Sequence, residues 1–250
     1  DLEAVWDLIN PQMLYVRHLG LRGRFDQLLE SGDPKAVELK THVDRVKAFC
    51  LSQKMEARAV WQFFPAEGSG NQILVFEPNA VGDAKPIAVF DFPRQPKPDG
   101  LCLSDLLLPR TNGQRDHLAL FVGTFGTGIR RIAEDWKEAG RYLDSHILQA
   151  LALESAEATA EWIHRKLRAD WGFPDPPDLD HRALFRAEYR GKRYSFGYPA
   201  CPDLEPQEIL FQLIKPGEIQ VELTDGSMMD PEGSVSAMVF HHPDAKYFSV

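Results

Sequence analysis

The sequence predicts an α+β domain with a twisted antiparallel sheet and long helices. Runs rich in Val, Ile, Phe and Trp, which are typical of strands, are grouped in the first half of the chain and again near its end. Between these groups, residues 110–173 contain no proline and mostly keep apolar residues at helical spacing. Because strands and helices do not alternate regularly, the order favours an antiparallel sheet over a doubly wound parallel one.

The chain begins with helical patterns. Trp6, Ile9, Leu14 and Leu19 are spaced for short helices within residues 1–32. Asp33-Pro34 then marks a helix start, because a capping carboxylate is followed by a proline at the first turn. We expect this helix to end near residue 53.

Strand-like runs follow this helix. The expected strands are Ala57–Phe64, Gln72–Phe76, Pro86–Phe92 and Leu118–Val122. The segment between the first two, Pro65–Asn71, contains Gly68 and Gly70, so we expect a hairpin there. The third strand should continue the hairpin as a meander.

The proline-free region should form two helices between Ile129 and Arg168. A single helix of that length is unusual, and Gly140 is the expected break. The sequence Pro174-Asp175-Pro176-Pro177 ends the region. After it we expect short helices at His181–Tyr189 and Pro206–Leu213, and strands at Ile219–Leu223 and Ser234–Phe240.

Composition excludes several classes of function. The chain has 250 residues and a formal net charge of −9, which argues against a nucleic-acid binder and against docking on an anionic membrane. Its 3 cysteines are widely spaced and form no CxxC motif, so we expect a reducing compartment and a cytoplasmic protein. No apolar run approaches the roughly 20 residues that span a bilayer. The start at Asp1, without an initiator Met, is expected to be the cut end of a longer polypeptide.

Two motifs give weak functional signals. Residues 123–128 read GTFGTG between a predicted strand and a predicted helix, but the GxxGxG spacing differs from the GxGxxG of dinucleotide sites. We interpret this segment as a turn that needs a positive φ. His241 and His242 are adjacent in a strand-like run and should point to opposite faces, so we expect no metal site.

One segment departs from ordinary composition: residues 193–202, RYSFGYPACP. Its glycine and two prolines forbid both helix and regular strand. Such a segment follows a fixed extended path with unpaired backbone groups, which can bind a ligand. The alternative interpretation is a well-packed crossing loop.

This segment resembles the RxxxGYPACP motif of the activation domain of cobalamin-dependent methionine synthase. Further motifs of that family follow in the same order along the chain. They are Phe64-Pro65-Ala66, the AEATAEWIH helix at 156–164, Leu223-Thr224, Ser234-Val235-Ser236 and the closing HPDAKYF at 242–248. The resemblance covers roughly residues 60–250 and is weaker at the N-terminus. We divide the chain accordingly, with 1–55 as an N-terminal helical part or linker and 56–250 as the activation domain.

The resemblance implies a C-shaped α+β domain that binds S-adenosylmethionine (AdoMet). It also implies a role as the C-terminal module of a methyltransferase of methionine biosynthesis, not active alone. In that family the domain presents the methyl group of AdoMet to cob(II)alamin for reductive methylation. The implied partners are the cobalamin-binding module of the same enzyme and a flavodoxin-like or flavoprotein reductase electron donor.

The residue types of the matched motifs suit the parts of AdoMet. Arg193 can clamp the carboxylate, and Glu157, which we expect to be partly buried, can accept from the ammonium. Tyr198 and Tyr247 can lie near the sulfonium. The remaining predicted contacts come from the motif segments and are Gly197, Ala200, Phe248, Asn71 and Gln72.

Asn71 and Gln72 depart from the family pattern, in which an Asp pair commonly follows FPA. The loss of charge leaves open a non-catalytic docking or capping domain with weak or lost AdoMet affinity. A second alternative is an unrelated α+β enzyme that uses Tyr, Arg and Glu in a cleft.

Overall fold

The computed structural model describes residues 1–110 and 114–250. The chain opens with helix α1 (Leu2–Trp6), a π-helical stretch (Gln12–His18), α2 (Phe25–Glu30) and α3 (Pro34–Ser52). The Asp33 carboxylate accepts from the Ala36 N–H at 3.0 Å, so the predicted cap starts α3. The predicted helix to residue 53 is confirmed.

A six-stranded antiparallel sheet follows, with strand order β3-β2-β1-β4-β8-β5. Its strands are β1 (Arg58–Ser69), β2 (Gln72–Val75), β3 (Ala88–Asp91), β4 (Asp116–Thr124), β5 (Lys192–Tyr194) and β8 (Ser234–Phe240). The predicted β1–β2–β3 meander and the α+β class with an antiparallel sheet are confirmed.

The first hairpin is tighter than the sequence suggests. We expected a connection over 65–71, but β1 continues through Pro65 to Ser69 and the turn is only Gly70–Asn71. Pro65 lies just beyond the last residue paired with β2, where its carbonyl still accepts from the Phe76 N–H at 2.9 Å. A proline is tolerated there because the ladder with β2 has already ended.

Two helices follow β4, as predicted, and they are α4 (Ile129–Glu138) and α5 (Tyr142–Asp170). Gly140 stands between them with φ +77°. One face of α5 packs on β4 and β8 through a stripe of small and aliphatic side chains: Ala156, Ala160, Ile163 and Leu167. The alanines allow the helix to lie so close that a Cβ on Gly123 of β4 would be 3.1 Å from Thr159 and Ile163.

The opposite face of the sheet packs against helix α7 (Gln207–Ile214) and the irregular segments around it. Helix α6 spans only His181–Phe185, because the chain turns at Ala187 with φ +53°. The predicted strand Ile219–Leu223 is also wrong over most of its length. A 3₁₀ turn covers Pro216–Ile219, and only β6 (Glu222–Leu223) pairs with β7 (Met229–Asp230), outside the main sheet.

The N-terminal helices pack on a third face of α5. The Trp6 indole N–H donates to the buried Ser155 hydroxyl at 2.9 Å, and His18 Nε2 lies 2.8 Å from a Glu154 carboxylate oxygen. Residues 1–55 therefore share a core with α4 and α5. The division of the chain at residue 55 stays a prediction. Within the described ranges, no helix is both long and apolar enough to cross a membrane.

Candidate functional site

A cleft opens where α5, the segment after β5 and the C-terminal tail meet. It consists of two adjoining cavities of about 560 and 450 Å³. Both are lined by Glu157, Arg193, Tyr198 and Tyr247. These are four of the residues that the sequence predicts for ligand binding, and the size suits a small molecule.

Helical periodicity brings the acidic side chains of α5 to this cleft. Glu154, Glu157 and Glu161 are spaced three and four residues apart, which places them on one face of the helix. This face lies next to the alanine stripe that packs on the sheet. All three glutamates line the larger cavity.

Arg193 reaches the cleft from β5, the edge strand that pairs with β8. Its Nη1 donates to Glu161 Oε2 and lies 3.3 Å from His164 Nδ1. Burial works against the charged guanidinium, but the Glu161 carboxylate more than offsets this and raises the pKa of Arg193. In the described part of the chain, no group accepts a hydrogen bond from Nε or Nη2, so this edge can take a ligand.

Behind Arg193 lies the fully buried imidazole of His164. Burial and the cations Arg193, Arg168 and Lys192 hold the pKa of His164 well below its usual value, so the ring is neutral. Arginine only donates, so Nδ1 is the acceptor and Nε2 carries the hydrogen. Nε2 has no hydrogen-bond partner among the described residues.

Glu157 is exposed rather than partly buried as predicted. The neighbouring stripe made burial a reasonable expectation, but the side chain projects into the open cleft instead of into the sheet. Glu157 and Tyr198 line the same two cavities, and the negative charge of Glu157 raises the pKa of Tyr198.

The RYSFGYPACP segment forms the wall of the smaller cavity. Gly197 has φ +80°, and a Cβ there would lie 2.9 Å from the Leu204 side chain, so glycine is required. The Ala200 N–H forms no hydrogen bond with any described residue, whereas Tyr198 is paired with Cys201 in an isolated antiparallel bridge. This agrees only in part with the predicted unpaired backbone, because Gly197 donates to the Cys201 carbonyl and Cys201 donates to the Tyr198 carbonyl. Ala200 and Cys201 are also packed in the core.

The C-terminal tail closes the other side of the smaller cavity. The Tyr194 hydroxyl donates to the Lys246 carbonyl at 2.8 Å, and its ring packs edge-on against Tyr247 at 5.6 Å. This contact places Tyr247 and Phe248 at the cavity. Tyr247 remains 56% exposed and Tyr198 remains 59% exposed, so both border the opening.

Asn71 and Gln72 line neither cavity. Asn71 accepts from Arg94 Nε at 2.9 Å, and the Gln72 amide donates to Asp91 at 3.1 Å. The turn at Asn71 is connected indirectly to the smaller cavity. Gln95, which follows Arg94 in the chain, donates at 2.7 Å to the carbonyl of Ser249, and Ser249 lines that cavity. A ligand contact by either amide stays a prediction.

The weak motifs have structural roles. Gly128 begins α4 with φ +78°, the positive φ expected for the strand-to-helix turn. His241 Nε2 lies 2.5 Å from Asp116 Oδ1 and joins the end of β8 to the start of β4. Of the residues with described positions, no three His, Cys, Asp or Glu side chains are grouped to hold a metal.

Sequence reasoning missed several residues of the cleft. The most informative are Glu161, Tyr189 and Tyr194, which hold Arg193 or the tail in place. Glu161 carried a usable signal, because it lies one helical turn after Glu157 within the same motif. Tyr189 and Tyr194 act through long-range contacts that no local pattern reveals.

Comparison with known proteins defines the family. A family model described as "Vitamin B12 dependent methionine synthase, activation domain" matches residues 1–250. The chain belongs to this family. The resemblance stated from the sequence motifs is thereby confirmed, and it extends over the weakly matching N-terminus.

Two curated relatives are methionine synthases of mycobacteria. The chain is 33% identical to that of Mycobacterium tuberculosis (strain ATCC 25618 / H37Rv) and 30% identical to that of Mycobacterium leprae (strain TN). In each case 97% of the chain matches, but it spans only 21% of the relative's length.

A solved structure has the same fold. It is a crystal structure of the MetH reactivation domain bound to AdoHcy, with a TM-score of 0.92 and 27% sequence identity. The match covers 100% of this chain and 78% of the other.

The neutral, buried state of His164 predicts a pH dependence of stability. The folded pKa lies below the unfolded value of about 6.5, so stability is lost as pH falls through that value. Between pH 7.5 and 5.5 the wild type should lose about 1.4 kcal/mol more free energy of unfolding than His164→Gln. Urea denaturation at the two pH values measures this, and an equal loss in both proteins would contradict the buried neutral imidazole.

Proposed function

We propose that this chain binds AdoMet in the cleft and presents its methyl group to cob(II)alamin, which reactivates cobalamin-dependent methionine synthase. One observation carries the proposal. A single open cleft contains a guanidinium edge to which no described residue offers an acceptor, an exposed carboxylate and two exposed tyrosines: Arg193, Glu157, Tyr198 and Tyr247. AdoMet carries one group that complements each of these.

The amino-acid end of AdoMet suits the junction of the two cavities. Arg193 can accept the carboxylate on its Nε–Nη2 edge, and Glu157 can accept from the ammonium. The unpaired N–H group of Ala200 can bind an acceptor atom of the adenine in the smaller cavity. The AdoHcy-bound state of the structural relative supports a ligand of this type.

The opening of the cleft suits a reaction with a second bound cofactor. Reductive methylation takes one electron and the methyl group of AdoMet, and it yields methylcobalamin and AdoHcy. The methyl group must therefore face outward. Apolar and aromatic side chains are exposed along the larger cavity at Met13, Phe185, Tyr198 and Tyr247, as expected for a surface that another module covers.

The remaining parts of the proposal concern the partners. The cobalamin is held by another module of the same enzyme, and a flavodoxin-like or flavoprotein reductase supplies the electron. The family and the 21% span of the relatives support a module of a larger methyltransferase. Three free, buried cysteines suit a reducing compartment such as the cytoplasm.

A docking domain without AdoMet affinity is the second candidate. The engaged amides of Asn71 and Gln72 favour it, because they replace a charged pair and are held by Arg94 and Asp91. The two candidates differ in one property, since only the first gives a saturable heat signal when the chain is titrated with AdoMet.

Replacing Arg193 should weaken AdoMet binding selectively. Arg193→Ala should cost about 2–4 kcal/mol of binding free energy, because the ligand carboxylate loses its charged partner. Arg193→Lys should recover only part, because the planar fork is lost. Calorimetric titration measures both, with Arg24→Ala as the control, since Arg24 is exposed, pairs with Asp26 and lines neither cavity. Unchanged affinity in both Arg193 variants would rule out the proposed clamp.

Methyl transfer should require the partner module. The chain alone should bind AdoMet and leave it intact over hours. Addition of a module loaded with cob(II)alamin and a reduced flavoprotein should produce methylcobalamin, because both reactants are then held close together. Absorbance spectroscopy of the corrin follows the product. Consumption of AdoMet by the chain alone with a small-molecule acceptor would contradict the proposal.

A further inference from the structure

The cleft holds a cation and an anion that do not pair with each other. Arg193 and Glu157 both line the two cavities. Among the described residues, the ion pair of Arg193 is with Glu161 instead, and Glu157 takes part in none. This separation needs an explanation, because opposite charges in a partly desolvated cleft attract strongly.

Glu161 is well placed to act as the competing partner. It is buried, and its carboxylate accepts from Arg193 Nη1, from the Tyr189 hydroxyl at 3.1 Å and from Arg168 Nη2 at 3.4 Å. A carboxylate with three donors in a buried setting holds a fixed position.

The rest of the network fixes Glu161 from behind. Arg168 is fully buried, and its Nε and Nη2 each donate to Asp175 at 2.6 Å. Its guanidinium also lies 3.6 Å from the centre of the Tyr189 ring. The acceptor offered to Arg193 is thus part of α5 and is anchored by a second arginine.

Glu157 has neither the burial nor, in the described part of the chain, the hydrogen-bond donors that fix Glu161. It is exposed, so water screens its charge and an ion pair with it would be weaker than the buried one. As long as Glu161 carries its charge, Arg193 has the better partner there. Without that charge, Glu157 is the carboxylate that lines both cavities together with Arg193 and, among the described residues, has no ion pair of its own.

We infer that Glu161 is a positioning residue that holds Arg193 away from Glu157. The cleft then offers a cation and a carboxylate separately, as the zwitterionic amino-acid group of AdoMet requires. Because Nη1 is occupied, the ligand carboxylate takes the Nε–Nη2 edge. This inference rests on the proposed function, and it adds a residue that acts on the ligand site through Arg193.

A double-mutant cycle tests the inference through AdoMet binding. Glu161→Gln alone should weaken AdoMet about tenfold, because Arg193 turns to Glu157 and both lose their ligand partner. In a Glu157→Gln background the same substitution should change affinity less than about twofold, since no competing carboxylate is left. Asp170→Asn is the matched control on α5, where Asp170 pairs with Lys166 at the surface.

The outcomes separate this inference from the proposed function. Absence of AdoMet binding by the wild type overturns both. If the wild type binds AdoMet but Glu161→Gln has the same effect on affinity in the two backgrounds, only the inference is overturned. The same holds if Glu161→Gln binds AdoMet more tightly than the wild type. If Glu161→Gln does not fold, Glu161→Asp, which draws the carboxylate back from Arg193, enters the same cycle with the same expectation.

A ligand-free crystal structure of the Glu161→Gln variant gives a readout that is independent of binding. We expect the Arg193 guanidinium within ion-pair distance of the Glu157 carboxylate. An Arg193 side chain that keeps its wild-type position contradicts the inference.

Discussion

The structure depends on the packing of one long helix against the sheet. A stripe of alanines brings α5 into close contact with β4 and β8, while the N-terminal helices cover another of its faces. The face that carries Glu154, Glu157 and Glu161 lines the cleft. Because a helix has a fixed period, the small residues of the stripe also fix where these carboxylates lie.

Burial differs between Glu157 and Glu161 on this acidic face, and their chemistry differs with it. Glu157 is exposed in the cleft, where it can bind a ligand, whereas Glu161 is buried and forms ion pairs with Arg193 and Arg168. A buried charge is costly unless a partner within the protein compensates it, whereas water solvates an exposed charge until a ligand binds. Two glutamates on one helix therefore have different roles, because Glu157 is exposed and Glu161 is buried.

The sequence predicts the fold well where the signal is local. The Asp33 cap, the break at Gly140 and the apolar run of β8 each have a local physical cause, and each is confirmed. Pro65 misled the prediction, because its place in β1 depends on where the partner strand ends. The family motifs identify Arg193, Glu157 and the tyrosines of the cleft, but the exposure of Glu157 and the role of Glu161 depend on contacts between distant segments.

The most direct test of the account is a crystal structure of this chain with AdoHcy. We expect the carboxylate on the Nε–Nη2 edge of Arg193 and the ammonium beside Glu157. The sulfur should face the opening between Tyr198 and Tyr247, where a methyl group would be accessible from outside. A ligand enclosed with its sulfur directed into the protein, or bound away from Arg193, would contradict the account.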